Sequence, residues 1–123
     1  MAVNLVAIAS NDQVTQVGVD DGDPVDTLYT STGFATQINA ITATNNSSSP
    51  LWLAFWILPS GVAATSCPPT WTQAVPATAA GSLYGSTIIS GLIGQVIPVG
   101  GTLKVAAGVT NVGFVTASGM TVP

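Results

Sequence analysis

Eight consecutive apolar residues, Leu51-Trp52-Leu53-Ala54-Phe55-Trp56-Ile57-Leu58, constrain the fold of this chain more than any other stretch. The run is far shorter than the roughly 20 residues that a membrane-spanning helix needs. In an extended strand Leu51, Leu53, Phe55 and Ile57 face one way, and Trp52, Ala54, Trp56 and Leu58 the other. A strand with one wet face alternates apolar with polar residues. This one does not, so both faces need cover. One face belongs to a core. Three covers are open for the other: loops of the same chain, an oligomer or partner interface, or sugar rings stacked on indole. The candidate interface residues are Trp52, Phe55, Trp56 and Leu58, together with Trp71 further along.

The rest of the chain points the same way. Val, Ile, Thr and aromatic residues dominate, Gly and Pro recur at short intervals, and no long window keeps a 3.6-residue period. Strands are expected near residues 3–9, 13–19, 26–32, 36–44, 51–58, 71–75, 82–90, 102–107 and 113–118. Asn45-Asn46-Ser47-Ser48-Ser49-Pro50 breaks the pattern with residues that bond their own backbone, and is expected to join 36–44 to 51–58 as a hairpin. Leu92-Ile93-Gly94-Gln95-Val96 is expected to make one helical turn, and Pro98-Val99-Gly100-Gly101 a tight turn. Longer loops are expected at 59–69 and 76–81. Short strands with regular turn signals predict an all-β chain, a single-domain antiparallel β-sandwich.

Charge is the second constraint. Of 123 residues, 5% are charged, against about 25% in an ordinary domain. The chain has five aspartates, one lysine (Lys104), and no Arg, Glu or His, for a net charge of −4. Nucleic-acid binding rests on Lys and Arg neutralising phosphates, and anionic membranes attract polybasic segments, so neither partner is expected. Without His, no Ser-His-Asp or Cys-His nucleophile can be assembled, and the usual general bases and imidazole ligands are missing. The chain is not expected to be an enzyme, nor to carry a catalytic residue, metal or cofactor.

All five aspartates lie in the first 26 residues, four of them in Asp20-Asp21-Gly22-Asp23-Pro24-Val25-Asp26. The cluster lacks the alternate ligand spacing and terminal Glu of a calcium loop, so a solvated acidic turn is expected, with a divalent-cation site as the alternative. Residues 1–26 therefore form an acidic N-terminal region, either a strand of the domain or an arm reaching a neighbour, and 27–123 the sandwich. Met1-Ala2-Val3-Asn4-Leu5 has neither the basic nor the long apolar part of a signal peptide. The lone Cys67 forms no intrachain disulfide and is expected to fill a small apolar space, in a chain folding in a reducing cytoplasm.

A surface built from Ser, Thr, Asn, Gly and Ala repels neighbours weakly, which suits a protein packed against copies of itself or a larger assembly. The order of elements sharpens this. Tyr29-Thr30-Ser31 is followed by the 35–45 stretch, then an apolar strand ending Leu58-Pro59-Ser60-Gly61. After these come Leu92-Ile93-Gly94-Gln95-Val96-Ile97, Val99-Gly100-Gly101-Thr102-Leu103 and Val115-Thr116-Ala117-Ser118-Gly119. Over roughly residues 27–120 this resembles the small β-sandwich virion proteins of tailed bacteriophages, of the capsid cement or decoration type. The resemblance implies a jelly-roll-like sandwich, self-associated as a dimer or trimer. Its partner would be the major capsid protein, on the capsid exterior of a virion, and it would be made in the host bacterial cytoplasm. It implies a cement protein that stabilises the assembled head. The alternative is a tail fibre or baseplate module, including one that binds glycans, or a carbohydrate-binding module of another kind.

Overall fold

Alternation decides which way each strand turns its bulky side chains, and two sheets close over the side that those positions share. The computed structural model describes residues 4–17, 25–78 and 86–123. Nine strands run in the order β1 (Leu5–Val14), β2 (Asp26–Thr30), β3 (Ala35–Asn45), β4 (Leu51–Leu58), β5 (Trp71–Val75), β6 (Ser86–Ile88), β7 (Val96–Ile97), β8 (Thr102–Ala107) and β9 (Gly113–Val122). The first sheet has the order β1-β9-β3-β6, with β7 also paired to β3, and the second has β2-β8-β4-β5. All of these pairings are antiparallel.

This order is a long hairpin folded double and rolled up. β1 pairs with β9, β2 with β8, β3 with β6, and β4 with β5 at the apex. Rolling then brings β9 beside β3 and β8 beside β4. The result is an all-β sandwich with the two nested sheets of a jelly roll. Between the sheets lie Ile38, Ile41, Leu51, Leu53, Phe55, Leu103, Val105 and Val115, all essentially without solvent exposure, so the core is aliphatic around one phenyl ring.

Several local expectations change in the structure. The 36–44 and 51–58 strands are not a hairpin: β3 and β4 lie in different sheets, and residues 46–50 carry the chain across. The reason is that both strands must put an apolar row into the core, which they do from opposite sides. The 3–9 window falls in β1, which runs on to Val14 through register shifts and Asn11 at φ 56°; of the 13–19 window only Gln13 and Val14 are strand, Val17 makes a lone bridge to Ala107, and residues 3, 18 and 19 lie outside the described residues. The helical turn falls earlier than expected, at Ser90–Leu92, and Val96–Ile97 is a short strand on β3. Pro98–Gly101 is a tight turn, with Gly100 at φ 75° and the Gly101 N–H donating to the Pro98 carbonyl at 2.8 Å. The expected strand at 82–90 is described only from residue 86, as β6. Among the described residues no helix is long and apolar enough to cross a membrane.

Candidate functional site: an apolar groove on the outer face of the second sheet

The two-sided apolar strand β4 is the second strand from one edge of its sheet, between β8 and β5. Leu51, Leu53 and Phe55 point into the core, and Phe55 is fully buried. The opposite side carries Trp52, Ala54, Trp56 and Leu58, and two different covers meet it. Residues 59–70 fold back over its far end. Ala64 packs with Trp56, Leu58 and Ala106 in a second buried cluster, and Cys67 packs against it. The Trp56 indole N–H donates to the Cys67 carbonyl at 3.1 Å, and the Thr70 hydroxyl accepts from the Ile57 N–H at 2.9 Å. Trp56 and Leu58 are thereby buried by the chain itself. Trp52, beyond the reach of this loop, is 62% exposed.

Between the loop and Trp52 the sheet surface is left open as a groove of about 460 Å³. Ala54 and Ala106, directly opposite each other in register, belong to its lining along with Trp56 and Thr72. Pro68 and Pro69 line it from the loop and Val17 from the chain beyond β1. The alanines make the space: larger side chains on these two positions would fill it. Lys104 lies on the same face, opposite Trp56 on one side and Thr27 on the other. Among the described residues no carboxylate lines the groove. The described lining makes a largely apolar recess with one large exposed indole, suited to shape recognition.

The five candidate residues thus separate. Phe55 is core. Trp56 and Leu58 are buried against residues 59–70, and of these three only Trp56 also belongs to the lining of the groove. Trp71 is 38% exposed at the start of the edge strand β5. Its indole rests on Gly91 so closely that a Cβ there would lie 2.2 Å from the ring, and its N–H donates to the Gln73 side-chain carbonyl at 3.1 Å. Trp52 is the one candidate that both stands out from the surface and lines the groove. Cys67 is half-buried at the groove wall, where its sulfur lies 3.8 Å from the Ala63 carbonyl oxygen.

Asp20, Asp21 and Asp23 lie outside the described residues. Asp26 is described, and its carboxylate is occupied: it accepts from the Thr15 N–H at 2.6 Å, the Thr15 hydroxyl at 2.9 Å and the Gln16 N–H at 3.3 Å. It ties the exit of β1 to the start of β2. Among the described residues no group of three or more His, Cys, Asp or Glu is placed to hold a metal ion.

Two features escaped sequence reasoning. The groove depends on Ala54 and Ala106 being in register, and nothing in the chain's order pairs them. The other is a set of buried polar side chains. Ser31, Thr36 and Tyr29 link their hydroxyls at 2.9 and 3.2 Å, and Ser31 also donates to the Phe34 carbonyl. The buried Asn45 joins three segments. No family model matches the chain, and no curated protein or solved structure matches it either.

Proposed function

We propose that this protein is a non-enzymatic capsid decoration protein that binds the outside of an assembled phage head and stabilises it, with the groove beside Trp52 as its attachment point. The single observation that carries the reading is the scarcity of charge on the described surface: among the described residues only Asp12, Asp26 and Lys104 bear a charged side chain, and of these Lys104 stands on the outer face of the second sheet. A free monomer keeps itself dispersed with charges over about a quarter to a third of its surface. A surface this neutral, with a tryptophan projecting beside an apolar recess, fits a molecule that works while packed against another protein. The resemblance to cement proteins supports the same reading, as does the jelly-roll order of strands. The mechanism is mass action: a ligand that binds only the assembled shell stabilises that shell, and many copies add by avidity.

The test is the copy number in purified particles. A decoration protein gives a 12.3 kDa band at an intensity comparable, per subunit, to the major capsid protein. A band corresponding to a few copies overturns the reading and favours a tail fibre or baseplate module. That second reading has one observation of its own, the exposure of the Trp52 indole, which suits sugar stacking. It predicts quenching of tryptophan fluorescence by neutral oligosaccharides, lost in Trp52→Ala.

A further inference from the structure

Phe114 is the one aromatic residue in the described strands of the first sheet. Its neighbour Val115 is fully buried in the core, so alternation turns Phe114 to the outer face, on the opposite side of the sandwich from the groove. There it stands in register between Gln13 of β1 and Thr44 of β3. Beside it the face sinks into a hollow of about 260 Å³, lined among the described residues by Asn11, Thr44, Asn46 and Phe114. The main chain on both sides of the hollow is fixed. Asn11 lies in a register shift of β1 at φ 56°, a left-handed conformation that asparagine tolerates, and its N–H donates to the Thr116 hydroxyl at 3.1 Å. The Asn46 N–H donates to the Val112 carbonyl at 2.7 Å, just before β9. The side chains are left over: among the described residues the Asn11 and Asn46 carboxamides and the Thr44 hydroxyl have no hydrogen-bond partner in the protein. Gln13 is committed elsewhere, since its side-chain amide donates to the Asn111 carbonyl at 2.9 Å.

We propose that this hollow is a binding subsite for a single neutral pyranose ring, stacked on Phe114 and held by the two asparagines. A pyranose presents an apolar C–H face and a rim of hydroxyls, each of which both donates and accepts. A phenyl ring meets the first and a carboxamide the second, because a carboxamide carries an acceptor oxygen and two donor hydrogens in one plane. Two carboxamides and a hydroxyl around one ring are wasted on a purely apolar ligand. None of the four lining residues is ionisable, and the one lysine of the chain, Lys104, lies on the second sheet. A phosphorylated sugar or a nucleotide therefore finds no cation at the hollow, and a neutral sugar is the class that fits.

Size and exposure set the affinity. The hollow is smaller than the roughly 300–1,000 Å³ of pockets that enclose a drug-sized ligand, so it takes one ring of a longer glycan. About 12 non-hydrogen atoms gripped from one side give a Kd on the order of millimolar. The proposal goes beyond the decoration reading and does not rest on it, since neither Trp52 nor the groove takes part. It also differs from sugar stacking on indole, because the ring that carries it is a phenyl on the other sheet. Joined to the decoration reading it has a consequence. A copy attached through the groove turns the hollow to solution, and an array of such copies converts millimolar sites into avid binding of a glycan-covered surface.

The test is a nuclear magnetic resonance titration of the nitrogen-15-labelled full chain. The probes are D-glucose, D-galactose, D-mannose and N-acetyl-D-glucosamine up to 100 mM, with adenosine as the control that is not a free sugar. At least one sugar is expected to shift the side-chain amide signals of Asn11 and Asn46, which saturate together with a single millimolar Kd. Phe114→Ala, Asn46→Ala and Asn11→Gly are each expected to weaken that sugar about fivefold or more, while Trp52→Ser leaves it unchanged. Glycine is chosen at position 11 because it keeps the positive φ. Circular dichroism checks folding, and the two asparagine variants decide if Phe114→Ala does not fold. No shift with any of the four sugars at 100 mM, shifts centred on Trp52 instead of the hollow, a response to adenosine alone, or variants that bind like wild type would overturn the proposal. Particle attachment is measured separately by co-sedimentation. Sugar binding at the hollow by a chain that does not attach to heads brings down the decoration reading and leaves this one standing, and attachment by a chain that binds no sugar does the reverse.

Discussion

Asn45 closes β3 at the point where the chain leaves one sheet for the other, and its fully buried side chain makes contacts on both sides. Its amide N–H groups reach the carbonyls of Ser49 at 2.7 Å, Val75 at 3.3 Å and Pro76 at 3.4 Å, and its carbonyl accepts from the Ser47 hydroxyl at 2.8 Å. Removing one member of a buried set leaves the others unsatisfied. Asn45→Ala is expected to cost about 3 kcal/mol, lowering the thermal midpoint by roughly 10 °C in calorimetry. Gly119 is a second sensitive position, for steric reasons. A Cβ there would lie 2.2 Å from the Gln37 carbonyl oxygen and 2.9 Å from the Ile8 side chain, where β9 runs between β1 and β3. Gly119→Ala must push β3 away and is expected to destabilise by about 2–3 kcal/mol. Trp52→Ala, at a mostly exposed side chain, is expected to cost less than about 1 kcal/mol of stability while abolishing attachment to heads, read by co-sedimentation.

β1 shows how an element's place decides its role. Its apolar positions Ile8, Ala9 and Val14 belong to the core, and its backbone pairs with β9 from Leu5 to Val14. Deleting residues 1–14 would bare the β9 edge and the core beneath it. The truncated chain is expected to unfold or aggregate, with loss of the β signal in circular dichroism; a stable, soluble truncation would show that the sandwich closes without β1. Residues 59–70 act as an element too, although they hold only the short 3-10 turn Ala64–Ser66. They turn half of the outer face of β4 into a second small core and leave the other half as the groove.

For the whole molecule the governing quantity is charge, or its scarcity. An interface with almost no formal charge has little Coulomb energy for salt to screen. Attachment to particles is expected to change less than twofold between 50 and 500 mM sodium chloride. It is expected to tighten in sulfate, which strengthens the burial of apolar surface. Titration in the two salts by sedimentation checks this, and release of the protein by moderate sodium chloride would mean that the aspartates make the attachment. The rolled topology has a kinetic consequence as well. Its outermost pair, β1 with β9, joins residues more than 100 positions apart (Leu5 opposite Met120), so refolding is expected in milliseconds to seconds, as for other sandwiches of non-local contacts.

By itself the sequence determined what depends on local period and composition. Alternation of Val, Ile and Thr made the chain all-β, Gly100 and its neighbours marked a turn, and eight apolar residues in a row required a strand covered on both faces. The scarcity of charge, counted before any folding, set the expectation that neither nucleic acid nor an anionic membrane is a partner. Tertiary structure alone decided which cover each part of β4 receives, because the two faces of that strand look alike in the sequence. Trp52 and Trp56 occupy the same side of β4, four residues apart. One is buried and one exposed solely because residues 59–70 reach only as far as the second. The choice between a 36–58 hairpin and a crossing between sheets was likewise hidden, since a turn of Asn and Ser serves both. Pairing partners such as Ala54 with Ala106, or Leu5 with Met120, are set by the register of strands distant in the chain. That register is fixed only when the apolar rows of two sheets close on one another.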